Sequence, residues 1–259
     1  MTGAIVLDVE TTGLSPREHR ITEIAIVDFA SGNTLIHTYV NPQVKIPADI
    51  TRITGISDET VKDAPAFYEI AEPVADFIGL AKALIGHNPW FDRSMLAAEF
   101  TRSQTMVRWP TLICTKRLWD LHEPKEQRHL QNAYKRFVDK EGFTGAHGAL
   151  ADTKACHAVA KAQIEYFNLQ ERSWEEFDPE QTVWYGPSSH VVWRDGILVV
   201  NFGKNKDVPC HKVDAGFWRW ISKQEFPEHV MVLADYMSAV AKPNITGEEL
   251  ATWAYGRSV

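Results

Sequence analysis

A chain of 259 residues, 44% apolar and 11% aromatic, can bury one large core, or a core domain beside a smaller one, and its net charge of −7 argues against a generic polyanion binder. No apolar run reaches the length of a membrane-spanning helix, and the N-terminus lacks a basic-then-apolar signal. Three cysteines outside metal-ligand spacing fit reduced thiols better than a disulfide framework, so the expectation is a cytoplasmic protein with no membrane partner.

The first element is Ile5-Val6-Leu7-Asp8-Val9-Glu10-Thr11-Thr12-Gly13-Leu14. In a strand, Asp8 and Glu10 project from one face while Val9 points to the other. Two adjacent carboxylates repel unless a cation or proton lies between them, and a hard divalent ion such as magnesium suits all-oxygen ligands. Ile21 to Phe29 reads as a second strand, Ser31-Gly32-Asn33 as a turn, and Thr34 to Val40 as a third strand of an antiparallel meander. Asn41 to Ile50 reads as a Pro-containing loop. Pro65 to Phe77 carries Phe67, Ile70, Ala71, Val74 and Phe77 at helical spacing, with Pro73 expected to kink or break the helix. Leu84 to His87 is a short buried strand leading through Asn88-Pro89-Trp90-Phe91-Asp92 into a helix with Met95, Leu96, Ala98 and Phe100. Thr111 to Cys114 is a further short strand. Within a locally basic segment, Leu130, Ala133, Tyr134, Phe137 and Val138 form an amphipathic stripe. Gly142, Gly145 and Gly148 mark a loop before a helix over 150–167. A meander followed by short strands alternating with helices is an α/β pattern, compatible with a ribonuclease H-like mixed five-stranded sheet flanked by helices.

Acidic, polar residues 168–181 read as a linker. Beyond it, Val191 to Val200 around Asp195-Gly196 is a hairpin, Phe217, Trp218 and Trp220 form an aromatic cluster, and a helix runs from Val230 to Val240. Residues 182–259 are thus expected to form a small C-terminal α+β module. Its tryptophans fit a mini-core as well as base stacking.

Asp92 opens a helix just past a strand's C-terminal end, where α/β sheets place ligand groups; taken alone, it is also an acid favoured by the helix dipole. His147-Gly148-Ala149-Leu150-Ala151-Asp152 puts a histidine in a glycine-flanked loop and an aspartate in the first turns of a helix. Together, four carboxylates and a histidine at element ends match a phosphodiesterase in which paired metal ions clamp the attacking and leaving oxygens and an imidazole deprotonates water.

Val6 to Leu14, His87 to Asp92 and His147 to Asp152 resemble the three exonuclease motifs of the DEDDh 3′→5′ exonucleases, the group of DNA polymerase III epsilon-like and exodeoxyribonuclease X-like nucleases. Asn41-Pro42, Ile53 to Ser57 and Asp63-Ala64-Pro65 join the resemblance, which covers about residues 3–167 and implies an exonuclease domain over 1–167. It implies two magnesium ions, with manganese substituting. Asp8 would bridge both, Glu10 and Asp152 would complete the site of the ion holding the attacking water, Asp92 would bind the second, and His147 would be the general base. Thr11, Thr12, Gly13 and Leu14 would meet the terminal nucleotide, with His87 and Asn88 in a supporting, orienting role. The implied products are 5′-mononucleotides from a nucleic acid with a free 3′ end, single-stranded DNA favoured. RNA 3′-end trimming and a polymerase-associated or nucleic-acid-binding subunit stay open as alternatives, as do a polymerase or other replication or repair partner and a homodimer. The C-terminal module is similar to the "FGK" domain appended to such nucleases, through Trp193 to Gly196, Asn201 to Lys206 and Gly216 to Trp220, with Asp207 standing where that domain has its second glycine.

Overall fold

Runs of isoleucine, valine and leucine set the sheet. In this computed structural model, which describes residues 3–123, 129–178, 188, 190–194, 197–224 and 226–239, β1 (Ala4–Thr11), β2 (Ile21–Asp28) and β3 (Thr34–Tyr39) form the expected antiparallel meander. Two short helices, α1 (Ala48–Thr54) and α2 (Asp58–Val61), precede α3 (Phe67–Leu80). β4 (Ala83–Gly86) then pairs parallel to β1, α4 (Pro89–Arg102) follows, and β5 (Thr111–Cys114) closes a mixed sheet of order β3-β2-β1-β4-β5. α5 (Thr115–His122), α6 (Leu130–Phe137) and α7 (Ala149–Tyr166) complete this unit.

The two faces of the central strand separate two cores. Ile5, Leu7 and Val9 pack with Phe67, Val74 and Ile78 of α3 and with Met95, Leu96 and Phe100 of α4. Ala4 and Val6 pack with Cys156, Ala160 and Ile164 of α7. Coverage of both faces explains why β1 and β2 read as nearly continuous apolar runs. A charged residue inside such a run is therefore forced against a helix rather than into water.

Four expectations change. The loop over Asn41–Ile50 gives way to helix at Ala48, and Gly55 ends that helix in the left-handed conformation at φ 75°. Pro73 does not break α3: it lies on the exposed side, while Ala71, Val74, Ala75 and Ile78 hold the helix on the sheet. α5 was not legible, because its eight residues bury only Thr115, Leu118 and Trp119. Residues 168–177 are not linker: Leu169, Trp174 and Phe177 are buried with Ile85 and Ile113, and the first compact unit runs to Phe177. The rest of the expected linker, apart from Asp178, lies outside the described residues.

In the second unit, β6 (Val191–Arg194) and β7 (Ile197–Val200) form the hairpin, whose Asp195-Gly196 turn lies outside the described residues. α8 (Ala215–Ile221) and α9 (Glu228–Ala239) pack on it around Val191, Leu198, Trp218, Val230 and Leu233; Val240 lies outside the described residues. Trp218 is a core residue whose Nε1 donates to the Cys210 carbonyl at 3.2 Å, whereas Trp220 is 48% exposed. Asp207 occupies the left-handed region at φ 66°, the conformation that a glycine adopts freely, and its carboxylate pairs with Arg194 at 2.6 Å. Among the described residues, no helix is long and apolar enough to cross a membrane.

Candidate active site

Strand parity builds the site. Asp8 and Glu10 share the face of Ala4 and Val6, so both turn towards α7. α7 carries Asp152 in its first turn, and one carboxylate oxygen from each of Asp8, Glu10 and Asp152 lies within 4.8 Å of the others. Between Asp8 and Glu10, the Val9 N–H donates to Asp92 Oδ1 at 3.1 Å. That donor is available because the β1–β4 ladder stops at Val6–Ile85, so β1 outruns its neighbour. Asp92, buried in the first turn of α4, is thereby fixed beside Asp8.

The electrostatics are those of like charges buried side by side. Burial, then repulsion from Asp92, Asp152 and Glu10, holds Asp8 well above the usual carboxylate range. Burial, then Asp152, Glu23 and Asp92, pushes Glu10 up to about 8. Burial pushes Asp92 up to about 7 against the opposing Val9 N–H. Asp152 is raised by burial and held back by the His147 backbone N–H. Its Oδ2 accepts that N–H at 3.4 Å, and its buried Oδ1 has no hydrogen-bond partner. A buried orphan oxygen inside a triad of carboxylates fits a hard divalent cation, and the donor set contains oxygen only.

His147 is exposed and sits at φ 68°, flanked by Gly145 and Gly148. The Thr-Thr-Gly turn is built from its own hydroxyls. Thr11 Oγ1 donates to the Gly13 carbonyl at 2.7 Å, and Thr12 Oγ1, in a residue only 2% exposed, accepts from Arg20 N at 3.0 Å. A Cβ on Gly13 would lie 2.3 Å from the His19 ring, so a larger residue there would have to displace that ring. Leu14 is 82% exposed and projects from the turn. His87, at the end of β4, pairs through Nδ1 with Thr115 Oγ1 at 2.7 Å, and Asn88 starts α4 at φ 92°.

Two functional candidates escaped the sequence reading. Glu99 of α4, 1% exposed, holds Arg20 through two bonds of 2.7 and 3.0 Å and ties the turn to the helix that carries Asp92. Glu23 lies directly opposite Glu10 in the β1–β2 register. A lone carboxylate in the otherwise uncharged stretch Ile21 to Val27 was the available signal.

A ribonuclease H-like sheet with an acidic cluster at the end of its central strand defines a class: nucleases that depend on divalent metal. The exonuclease (RNase_T) family model matches residues 5–160. The DNA polymerase III subunit epsilon of Rickettsia felis is 37% identical over 161 residues, 57% of this chain and 68% of that protein. The subunit of the same name from Rickettsia conorii is 32% identical over 192 residues, 69% of this chain and 80% of that protein. Exonuclease X in complex with 5′-overhanging duplex DNA superposes at a TM-score of 0.51 and 26% identity, over 67% of this chain and 96% of that one. E. coli exonuclease I in complex with a dT13 oligonucleotide shares the fold at a TM-score of 0.58 and 17% identity, over 86% of this chain and 60% of that one. The chain belongs to the exonuclease family, as a DEDDh, DnaQ-like 3′→5′ exonuclease of the ribonuclease H-like superfamily.

Proposed function

We propose that this enzyme releases 5′-mononucleotides one at a time from the 3′ ends of single-stranded DNA, using two divalent cations and His147 as general base. The observation that carries the reading is the grouping of Asp8, Glu10 and Asp152 oxygens within 4.8 Å, around a buried Asp152 Oδ1 that has no partner. Asp8, Glu10 and Asp152 would hold one cation, and Asp8 with Asp92 the other, magnesium by preference with manganese substituting. When bound, the cations supply charge neutralisation at the phosphodiester and acidify the attacking water.

The chain's own groups do the rest. The exposed imidazole of His147 takes the water's proton as the water oxygen bonds to phosphorus. The bond from phosphorus to the 3′ oxygen of the preceding nucleotide breaks, and that oxygen leaves as the new 3′-hydroxyl after protonation from solvent. The Asp152 carboxylate, which accepts the His147 N–H, keeps the base over the reacting phosphate. Leu14 packs against the terminal nucleotide, on a turn held by Thr11, Thr12 and Gly13. His87 and Asn88 orient the segment that carries Asp92. DNA as substrate is supported by the complexes named for exonuclease X and exonuclease I, and a polymerase partner by the relatives' description as polymerase III subunits.

The test is a product ladder on 5′-labelled single-stranded DNA, RNA and recessed-end duplex, with magnesium or manganese. The expected result is a one-nucleotide ladder, fastest on single-stranded DNA. Faster trimming of RNA would reassign the substrate, and internal cuts would reject the exonucleolytic geometry.

A further inference from the structure

α7 begins at Ala149 after Gly148, a residue with no side chain to cap the orphan N–H groups of the first turn. The cap comes instead from a residue 126 positions upstream: Glu23 Oε2 accepts the Ala149 N–H at 2.9 Å. Its other oxygen, Oε1, is held at 2.8 Å by His37 Nε2, from the neighbouring strand β3. Glu23 is 5% exposed and stands opposite Glu10 in the register, so one carboxylate joins β2, β3 and the start of α7. Ala149 lies between His147 and Asp152, two site residues that the sheet itself does not carry.

We propose that Glu23 is a positioning residue for the exonuclease reaction: by capping α7 from the sheet, it fixes Asp152 and the His147 turn against Asp8 and Glu10. This rests on the site reading above. Without the clamp, the first turn of α7 frays, and Asp152 and His147 drift from the strand-borne carboxylates. Repulsion among Asp8, Glu10 and Asp152 favours that drift. His37 acts only through Glu23, by holding the carboxylate in its capping orientation. The role needs a hydrogen-bond acceptor at Ala149 and does not need a negative charge.

The experiment compares Glu23→Ala, Glu23→Gln, His37→Ala and Glu23→Ala/His37→Ala in the full chain, reading kcat, KM, melting temperature and amide hydrogen exchange. Displacing a reacting group by about 1 Å can cost about 100-fold, so Glu23→Ala is expected to lower kcat by about 10- to 100-fold with KM within about threefold. Exchange over residues 147–152 should rise by about tenfold while β1 and α4 stay protected, the signature of a lost cap. Glu23→Gln keeps an acceptor oxygen and should restore kcat to within about threefold of wild type. His37→Ala should cost about two- to fivefold, and the double variant should be no slower than Glu23→Ala alone. The proposal is overturned if Glu23→Ala keeps wild-type kcat, if exchange rises throughout the chain rather than at α7, or if Glu23→Gln is as slow as Glu23→Ala. Asp152→Ala separates this idea from the site reading. Loss of hydrolysis in Asp152→Ala beside a normal Glu23→Ala rejects only the role of Glu23, whereas a wild-type rate in Asp152→Ala rejects both.

Discussion

Asp8, Glu10 and Asp92 stand on one wall of the site, on a central strand and a helix start tied together by the Val9–Asp92 hydrogen bond. His147 stands on the other, exposed in a glycine-rich turn whose backbone bond to Asp152 is long, at 3.4 Å. The first wall must hold like charges together against their repulsion, which only backbone fixed by a packed core can do. The second carries the residue proposed as general base, which would have to exchange a proton with water and let a nucleotide leave, and a buried residue does that badly. Packing is densest where repulsion is largest, and exposure is kept where the proposed base stands.

The comparison can be broken by substitution. Asp8→Ala removes the carboxylate nearest the centre of the rigid wall and should lower 3′-end hydrolysis by about three orders of magnitude or more, since the metal centre supplies several kcal/mol of transition-state stabilisation. Degradation of a labelled oligonucleotide at the wild-type rate would remove the metal assignment altogether. His147→Ala, on the open wall, should cost less, about 100- to 1,000-fold, with binding of single-stranded DNA within about twofold of wild type. Equal losses in the two variants would mean that the walls are not functionally distinct.

The smallest effect is on stability. Glu10 is raised to about 8 and Asp92 to about 7 in the native chain, against about 4 when unfolded. Between about pH 4 and pH 8 the native state therefore binds more protons than the unfolded state, and stability falls as pH rises. Without divalent metal, the melting temperature should drop by a few degrees from pH 5 to pH 8. Added magnesium should raise it most at pH 8, and Glu10→Gln should raise it at pH 8 but not at pH 5. A metal-free melting temperature that stays level over this range would show that the rigid wall stores no repulsion.

Much of the site was legible because its signals are local. The two-residue spacing of Asp8 and Glu10 puts them on one face of any strand, and Asp92 and Asp152 each follow a loop into a helix. The β2–β3 hairpin and the helices over 89–102 and 149–166 were legible for the same reason, since the Ser31-Gly32-Asn33 turn, the Asn88-Pro89 turn and the glycine-rich loop before Ala149 mark where the chain changes direction. α5 and the 168–177 segment were not, because each contributes only a few apolar residues whose burial depends on surfaces made elsewhere in the chain.

What the sequence by itself determined is the inventory: which carboxylates sit at element ends, which histidine lies in a glycine-flanked loop, and which apolar runs form the strands of the sheet. What only the tertiary structure decided is the wiring. Val9 reaches Asp92 because β1 outruns β4, Glu99 grips Arg20 across 79 positions, and Glu23 caps a helix 126 positions away. Local periodicity fixes the face of a side chain, but a hydrogen bond between distant residues depends on strand register and helix placement, which exist only once the whole core has packed.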